Sequence, residues 1–277
     1  MQDRYACDIG DFGKLGLLRF LFSETDFRLG VNWYLVPDEE GNADGMKIEY
    51  LLDINDKNER FKDCDSDDLY KKLQQIVKPE MEDRKIVSKG KRAVSEFEKN
   101  KILSNATIFY SEKLDFDKAK ATGRNFEVER NQWVKKGFGQ LKDCDVVFFD
   151  PDNGFPPYND KKREFSTKKN QKKSGKYVYY DELKDYWYEG KGRSLIIYQH
   201  RTMEPADKYL RRFESIKDYI PQAQNIFYVR WHPISVRDYI FVLKPFHRKK
   251  LCERLNEMFK PNCKWSKLFS LHRIEDC

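Results

Sequence analysis

The spacing of apolar residues along the chain predicts helices that alternate with short strands. Near the N-terminus, Phe12, Leu15 and Leu18 recur at the three-residue spacing of one helix face. Asp11 stands immediately before this run and is predicted to cap the helix. Residues 29–36 (LGVNWYLV) are rich in β-branched and aromatic side chains, which predicts the first strand.

The same pattern continues to the end of the chain. Further helices are predicted from Ser66, over 88–100, over 125–141, from near Asp181, over 206–220 and over 250–259, and further strands at 85–87, 107–111, 145–150, 194–200, 225–232 and 237–245. This alternation predicts an α/β fold with a Rossmann-like, mostly parallel sheet of about seven strands and helices on both faces. The last two strands are separated only by a few residues around Pro233, so we expect a C-terminal antiparallel hairpin.

Composition favours one folded domain over the whole chain, 1–277. Aromatic residues make up 15%, and these supply the burial that disordered chains lack. We find no apolar run of about 18 residues and no signal-peptide pattern, which predicts no membrane partner. The six cysteines are scattered without a CxxC pair, so neither zinc nor a disulfide framework is expected. A reducing cytoplasm is the compartment that fits this usage best.

Charge is distributed unevenly along the chain. Residues 161–176 hold eight Lys/Arg and one Glu, which equals the net charge of +7 of the whole protein. Residues 38–68 hold twelve acidic and four basic residues. These shifts predict an acidic helical insertion over 38–83 and a basic flexible loop over 156–176 within the single domain.

The most informative stretch is DVVFFDPDNGF, which begins at residue 145. A buried strand ends here with Asp150, Asp152 and Asn153, residues that a simple turn also uses. Open α/β sheets bind ligands beyond the carboxyl ends of their strands, which favours an active site. His200 ends the next predicted strand and would reach the same crevice as a general base or a ligand.

This stretch resembles the (D/N/S)PP(Y/F) motif that ends the fourth strand of Rossmann-like S-adenosylmethionine-dependent amino-methyltransferases. GDFGKLGLLRFL resembles the opening helix of the large-subunit ribosomal RNA adenine-N6 methyltransferases, and DIGDFGK and DPDNG are similar to motifs of uncharacterised bacterial and phage proteins. By this resemblance, Asp150 accepts a hydrogen bond from a base amine, and the Pro151 carbonyl assists. Phe155 or Tyr158 stacks on the extruded base.

The resemblance also implies S-adenosylmethionine as the cofactor. The turn after the first strand contains Gly41 and Gly45, and the preceding Asp38 and Glu39 could bind ribose hydroxyls or a cation. The sequence departs from the family here, because no GxG is present. It departs again at Asp152, which stands in place of the second proline of the motif.

Nucleic acid is the predicted partner, because a lysine-rich loop follows the DPDNG motif directly. Its cations could track phosphates without reading sequence. The predicted contacts are Lys161, Lys162, Arg163, Lys168, Lys169, Lys172, Lys173, Phe155, Tyr158 and Arg201.

Three functions stay open at this stage. The first is a methyltransferase-like enzyme that acts on nucleic acid. The second is a metal-dependent nuclease, for example in phage–host conflict, in which Asp150 and Asp152 hold magnesium and His200 activates water. A PD…ExK pattern that includes Glu182 supports the nuclease weakly. The third is a catalytically degenerate module that binds nucleic acid or protein.

Overall fold

A seven-stranded sheet forms the centre of the protein. The computed structural model describes residues 1–39, 45, 47–52, 58–64, 68–78, 81–82, 85–86, 92–159, 164–189 and 192–273. Strands of the main sheet are β1 (Leu29–Asn32), β4 (Ile108–Tyr110), β5 (Val146–Phe149), β8 (Ser194–His200), β9 (Phe227–Trp231), β10 (Arg237–Val242) and β11 (Phe269–Arg273). Two small ribbons are β2 (Met81–Glu82) with β3 (Lys85–Ile86), and β6 (Tyr158–Asn159) with β7 (Glu164–Phe165).

Helices occupy most of the connections between these strands. They are α1 (Ile9–Phe22), α2 (Glu59–Lys62), α3 (Leu69–Val77), α4 (Ser95–Lys99), α5 (Phe116–Ala121), α6 (Phe126–Gln140), α7 (Tyr180–Tyr188), α8 (Ala206–Glu214), α9 (Ile216–Tyr219) and α10 (Pro245–Met258). α6 was predicted over 125–141, and Asn125 is its cap, because its side chain accepts from the backbone N–H groups of Glu127 and Val128.

The sheet is mixed, and the prediction of a mostly parallel sheet was wrong in this respect. Its strand order is β11-β9-β10-β8-β5-β1-β4. β4, β1, β5 and β8 pair in parallel, whereas β10 pairs antiparallel with both β8 and β9. The predicted C-terminal hairpin is therefore present, and β11 adds another antiparallel pair to β9. β11 was missed, because its apolar and polar alternation covers only the four residues from Phe269 to His272.

Two apolar cores lie on opposite faces of this sheet. Alternate residues of β5 point to opposite sides, so Phe148 belongs to one core and Phe149 to the other. Helices α1, α3 and α10 cover the first face, and α6, α7, α8 and α9 cover the second. The expectation of an α/β fold with helices on both faces is confirmed.

Local backbone geometry explains why β1 is shorter than predicted. The side chain of Asn32 accepts a hydrogen bond from the backbone N–H of Tyr34 at 3.1 Å, and Tyr34 adopts a left-handed φ of 46°. This turn directs the chain out of the sheet immediately after Asn32. Trp33 and Leu35 are still buried in the core. The apolar pattern that predicted a strand here therefore reflects burial of these side chains outside a strand.

The two unusual charge segments contain regular structure over part of their length. Within 38–83, Phe61 of α2 and Leu69 and Leu73 of α3 join the same core as α1. Within 156–176, β6 and β7 form an antiparallel ribbon, and a 3₁₀ helix spans Lys172–Lys176. Residues 40–44, 46, 53–57, 65–67, 79–80, 83 and 160–163 of these segments lie outside the described part of the chain.

Candidate active site

A polar pocket of about 280 Å³ opens where β5 and β8 end. It is bounded by the start of α1, the DPDNG loop and the first residues of β10. Its charged lining comprises Asp8, Asp11, Lys14, Lys47, Asp150, Asp152, Lys176 and Arg237. Ligands of open α/β sheets bind at this edge, so the position matches the prediction for the DPDNG motif.

Asp8, rather than Asp11, is the N-cap of α1. Its Oδ1 accepts from the backbone N–H groups of Gly10 at 2.8 Å and Asp11 at 3.0 Å. Its other oxygen, Oδ2, lies 3.1 Å from Nη2 of Arg237 at the start of β10. Gly10 is required for this contact, because a Cβ there would lie 2.2 Å from the guanidinium carbon. The cap therefore joins α1 to the sheet across the pocket.

One buried lysine connects α1 to the end of β5. Nζ of Lys14 lies 2.6 Å from Oδ1 of Asp11 and 2.5 Å from Oδ2 of Asp150. All three side chains are 3% exposed. Lys14 also lies over the rings of Trp33 and Tyr198, which shield it from water. Two carboxylates and one ammonium give this cluster a formal charge of −1.

This excess negative charge shifts the protonation of the cluster. Burial raises the pKa of Asp11 to about 7, although Lys14 lowers it, and Asp8 and Asp150 raise it further. Burial also raises the pKa of Asp150 above its ordinary value, against the effect of Lys14. The two carboxylates outweigh burial at Lys14 and raise its pKa. Lys14 thus stays charged, and Asp11 exchanges a proton near neutral pH.

Asp152 has a separate cationic partner. Its Oδ1 lies 2.6 Å from the Met1 ammonium, in an ion pair whose angle does not make a hydrogen bond. Its Oδ2 accepts from Nε2 of Gln2 at 3.2 Å. The Met1 ammonium also donates to the backbone carbonyl of Asp150 at 3.3 Å and lowers the pKa of its side chain, so it acts on both acidic residues.

The loop after Asp150 is held by a buried glutamine of β8. Oε1 of Gln199 accepts from the Phe155 N–H, and Nε2 donates to the carbonyls of Asn153 and His200, with distances of 2.8 to 3.0 Å. Gly154 adopts a φ of +83°, and a Cβ there would lie 2.3 Å from Oε1 of Gln199. This close packing fixes the backbone that carries Asn153 into the pocket.

The predicted catalytic residues come together at this site. Asp150, Pro151, Asp152, Asn153 and His200 all line the pocket. The side chain of Asn153 makes no hydrogen bond to any described residue, so its amide is available to a ligand. His200 lies directly opposite Arg237 across β8 and β10 and is partly exposed.

The predicted cofactor residues are placed less favourably. Asp38 and Glu39 are exposed and do not line the pocket. Asp38 accepts from the Arg4 N–H at 3.1 Å, and Glu39 pairs with Lys176 at 2.6 Å. Gly45 does line the pocket, in a left-handed turn with φ of +78°. Gly41 lies outside the described residues.

Most of the predicted nucleic-acid contacts lie away from this pocket. Phe155 is fully buried and stacks on Tyr180 at 4.3 Å, so it is a core residue that an extruded base cannot reach. Tyr158 is 44% exposed but does not line the pocket. Arg201 is bound to the backbone carbonyls of Thr202 and Glu204.

The predicted lysine contacts have different surroundings. Lys169 pairs with Asp181, and Lys172 lies 2.6 Å from Asp117. Lys168 and Lys173 are exposed. Lys161, Lys162 and Arg163 lie outside the described residues.

The nuclease pattern receives a structural explanation. Glu182 caps α7 from inside the protein and lies 2.6 Å from Nε of Arg130, which is fully buried. Arg130 also donates to the carbonyls of Ser174 and Tyr177 at 2.7 Å. Glu182 is thus part of a structural clamp, away from Asp150. Among the described residues, no group of three His, Cys, Asp or Glu side chains is placed to bind a metal ion.

Several residues of the site were not predicted from sequence. These residues are Lys14, Gln199 and Arg237. They bind Asp150, Phe155 and Asp8, respectively, which are 44 to 229 residues distant in the sequence. Only Lys14 had a local signal, since it lies one helical turn after Asp11. Gln199 is recognisable only once the pairing of β5 with β8 is known, and Arg237 only once the pairing of β8 with β10 is known.

Comparisons with known proteins give no match. No protein-family model matches the sequence, and no curated protein shows significant similarity. Across the described ranges, no helix is both long and apolar enough to cross a lipid bilayer. What the pocket can do chemically follows from its own residues.

Proposed function

We propose that the protein is a methyltransferase-like enzyme that acts on an exocyclic amine of a nucleic-acid base. The observation that carries this proposal is the state of Asp150. Lys14 occupies its Oδ2, whereas its Oδ1 has no hydrogen-bond partner among the described residues. Asp150 lines the pocket with one oxygen fixed and the other available to accept an N–H from a substrate.

The position of Asp150 suits the orientation of an amine. An exocyclic amine is a poor nucleophile until its N–H groups are held by acceptors that aim its lone pair. Asp150 supplies one acceptor, and the side-chain oxygen of Asn153 supplies a second nearby. Lys14 acts on the substrate only through Asp150, so it is a positioning residue. His200 lines the pocket and can take up the proton that the methylated amine releases, and so can Asp11, because burial raises the pKa of Asp11 to about 7.

The lining of the pocket is chemically compatible with S-adenosylmethionine. This cofactor has a carboxylate, an ammonium, ribose hydroxyls and an adenine ring. Lys47 and Tyr5 line the pocket and would hold the carboxylate and the ring, respectively. When bound, S-adenosylmethionine supplies an electrophilic methyl group. The volume of 280 Å³ is close to the lower end of small-molecule sites, about 300 Å³.

The antiparallel strand within the sheet gives further support. β10 lies between β8 and β9, so the parallel strands are followed by an antiparallel hairpin. This is the plan of the Rossmann-like methyltransferases that the DPDNG motif resembles. A metal-dependent nuclease receives no comparable support, because among the described residues no group of three His, Cys, Asp or Glu side chains is placed to bind a metal ion.

The test combines cofactor binding with methyl transfer. Calorimetric titration with S-adenosylmethionine should show binding, and radiolabelled methyl groups should pass to RNA or DNA oligonucleotides. Asp150→Asn should abolish transfer. Asp145→Asn, at the opposite end of the same strand, is the matched control and should retain it. Absence of binding heat at millimolar cofactor, or full transfer by Asp150→Asn, overturns the proposal, as does magnesium-dependent cleavage of the oligonucleotide.

A further inference from the structure

Three aromatic side chains form a ridge beside the DPDNG loop. Tyr158 of β6 and Phe165 of β7 contact each other at 5.6 Å between ring centroids. Tyr180 stacks with Phe165 at 5.7 Å and with Tyr219 of α9 at 5.1 Å. We call Tyr158, Phe165 and Tyr219 the aromatic ridge. All three rings are at least partly exposed to solvent.

The aromatic ridge separates two depressions that it also lines. One has a volume of about 610 Å³ and contains Lys168 and Lys169. The other has a volume of about 300 Å³ and contains Lys208, Arg211 and Arg212. Acidic residues neutralise part of this charge, since Lys169 pairs with Asp181 and Arg212 with Glu204. Lys208 is exposed and has no ion-pair partner among the described residues.

The ridge is rigidly connected to the pocket. Phe155 stacks beneath Tyr180 at 4.3 Å, and its carbonyl accepts from Nη1 of Arg212 at 3.0 Å. Its N–H is bound by Gln199, which also holds the carbonyl of Asn153. Tyr158 follows Asn153 by five residues, so the two are at most about 17 Å apart. A short single strand can span this distance.

We infer that the aromatic ridge is a binding surface for single-stranded nucleic acid, and that it holds nucleotides next to the one that enters the pocket. Exposed rings stack on bases of any sequence, and neighbouring cations follow the phosphates. Tyr158 was predicted to stack on the target base. Its position outside the pocket assigns it to a flanking base instead. The inference rests on the proposed function for the reaction, but binding at the ridge is measurable without it.

The test is oligonucleotide binding by fluorescence anisotropy, without any cofactor. Stacking of one base contributes about 1–3 kcal/mol, so Tyr158→Ala should weaken binding of a labelled 12-nucleotide single strand about 5- to 150-fold. Tyr188→Ala is the matched control, because Tyr188 is 41% exposed but lies outside both depressions. Its affinity should equal that of the wild type, and circular dichroism should show that both variants are folded.

Salt dependence separates stacking from charge. Lys208→Ala should reduce the slope of log affinity against log salt by about 0.7, whereas Tyr158→Ala should leave the slope unchanged. Unaltered affinity of Tyr158→Ala overturns the inference. The inference is also overturned if a double-stranded oligonucleotide binds more tightly than the single strand. Displacement of the oligonucleotide by polyglutamate would indicate a site for acidic peptides and would likewise overturn it.

Failure of this inference is distinguishable from failure of the proposed function. Asp150→Asn should lose methyl transfer, whereas adding Tyr158→Ala to it should still weaken oligonucleotide binding about 5- to 150-fold, because Asp150 lies outside the ridge. Binding that depends on Tyr158 without methyl transfer supports the ridge and refutes the enzyme. Methyl transfer that does not depend on Tyr158 supports the enzyme and refutes the ridge.

Discussion

Replacing Lys14 with Met removes the ammonium between two buried carboxylates. Methionine retains a flexible apolar side chain of similar length, so packing against Trp33 and Tyr198 is largely preserved. Both ion pairs, at 2.6 and 2.5 Å, are lost. Removing one partner of a buried ion pair costs about 3–5 kcal/mol. We therefore expect the free energy of unfolding to fall by about this amount at pH 7.

The cost should depend on pH, because the carboxylates escape it by protonation. In the wild type, the pKa of Asp11 is raised to about 7, so the folded protein holds a proton that the unfolded chain releases near pH 4. Lys14 lowers the pKa of Asp150, and its removal raises that pKa further. The folded variant then holds one more proton than the folded wild type. The loss of stability caused by Lys14→Met therefore shrinks by about 1.4 kcal/mol for each pH unit between pH 7 and pH 5.

Urea unfolding at pH 5, 6, 7 and 8, followed by circular dichroism, measures this effect. The midpoint should shift strongly at pH 7 and 8 and much less at pH 5, with an unchanged dependence on urea. Lys135→Met is the control, because Lys135 is exposed on α6, and we expect less than about 0.5 kcal/mol at every pH. A pH-independent loss, or a loss below about 1 kcal/mol at pH 7, would refute the coupling of the cluster.

Three further substitutions test other parts of the structure. Gly154→Ala should destabilise by about 2–4 kcal/mol and abolish methyl transfer, because its Cβ meets Gln199 and its φ is +83°. Arg130→Met should cost about 3–5 kcal/mol in urea unfolding, since it leaves Glu182 buried without its partner. Ile234→Gly should raise thermal stability by about 1 kcal/mol, because a β-branched residue is strained at φ of +64°.

Matched positions serve as controls for these variants. Gly123 has a φ of +69°, but a Cβ added there would meet nothing within 4 Å, so Gly123→Ala should cost only the backbone strain, about 1–2 kcal/mol. Arg124 is 42% exposed in its pair with Glu129, so Arg124→Met should cost less than about 1 kcal/mol. Equal losses of stability for Gly154→Ala and Gly123→Ala, or for Arg130→Met and Arg124→Met, would contradict the assigned contacts. A lower melting temperature for Ile234→Gly would contradict the assigned strain.

Individual helices and strands could be predicted from the sequence more reliably than the pairing between strands. β8 was predicted at its observed bounds, because Ser194 to His200 is one apolar run with a polar end. The helix capped by Asn125 was predicted equally well, because capping is a local interaction. The antiparallel hairpin was predicted, but the further antiparallel pairing of β11 with β9 was not, since strand direction there depends on pairing between distant segments. A period of two residues does not reveal the direction of a neighbouring strand.

The same limit applies to the site. The DPDNG motif placed Asp150 and Asn153 at the correct edge, because the end of a buried strand is readable locally. Phe155 was assigned to a base, although its ring is buried against Tyr180. An aromatic residue after a turn can point inward or outward, and only packing decides which. The Lys14 cluster was missed for a related reason, since nothing local shows that Lys14 meets Asp150.

The long sequence separations within the pocket have a consequence for biosynthesis. Lys14 and Asp150 are 136 residues apart, and Asp8 and Arg237 are 229 residues apart. At a translation rate of about 5–20 residues per second, Arg237 follows Asp8 from the ribosome by about 10–50 s. Until those partners are made, Lys14 has only Asp11 of its own helix, and Asp8 lacks Arg237. The pocket is therefore completed late, and a nascent chain that lacks β10 has no functional site.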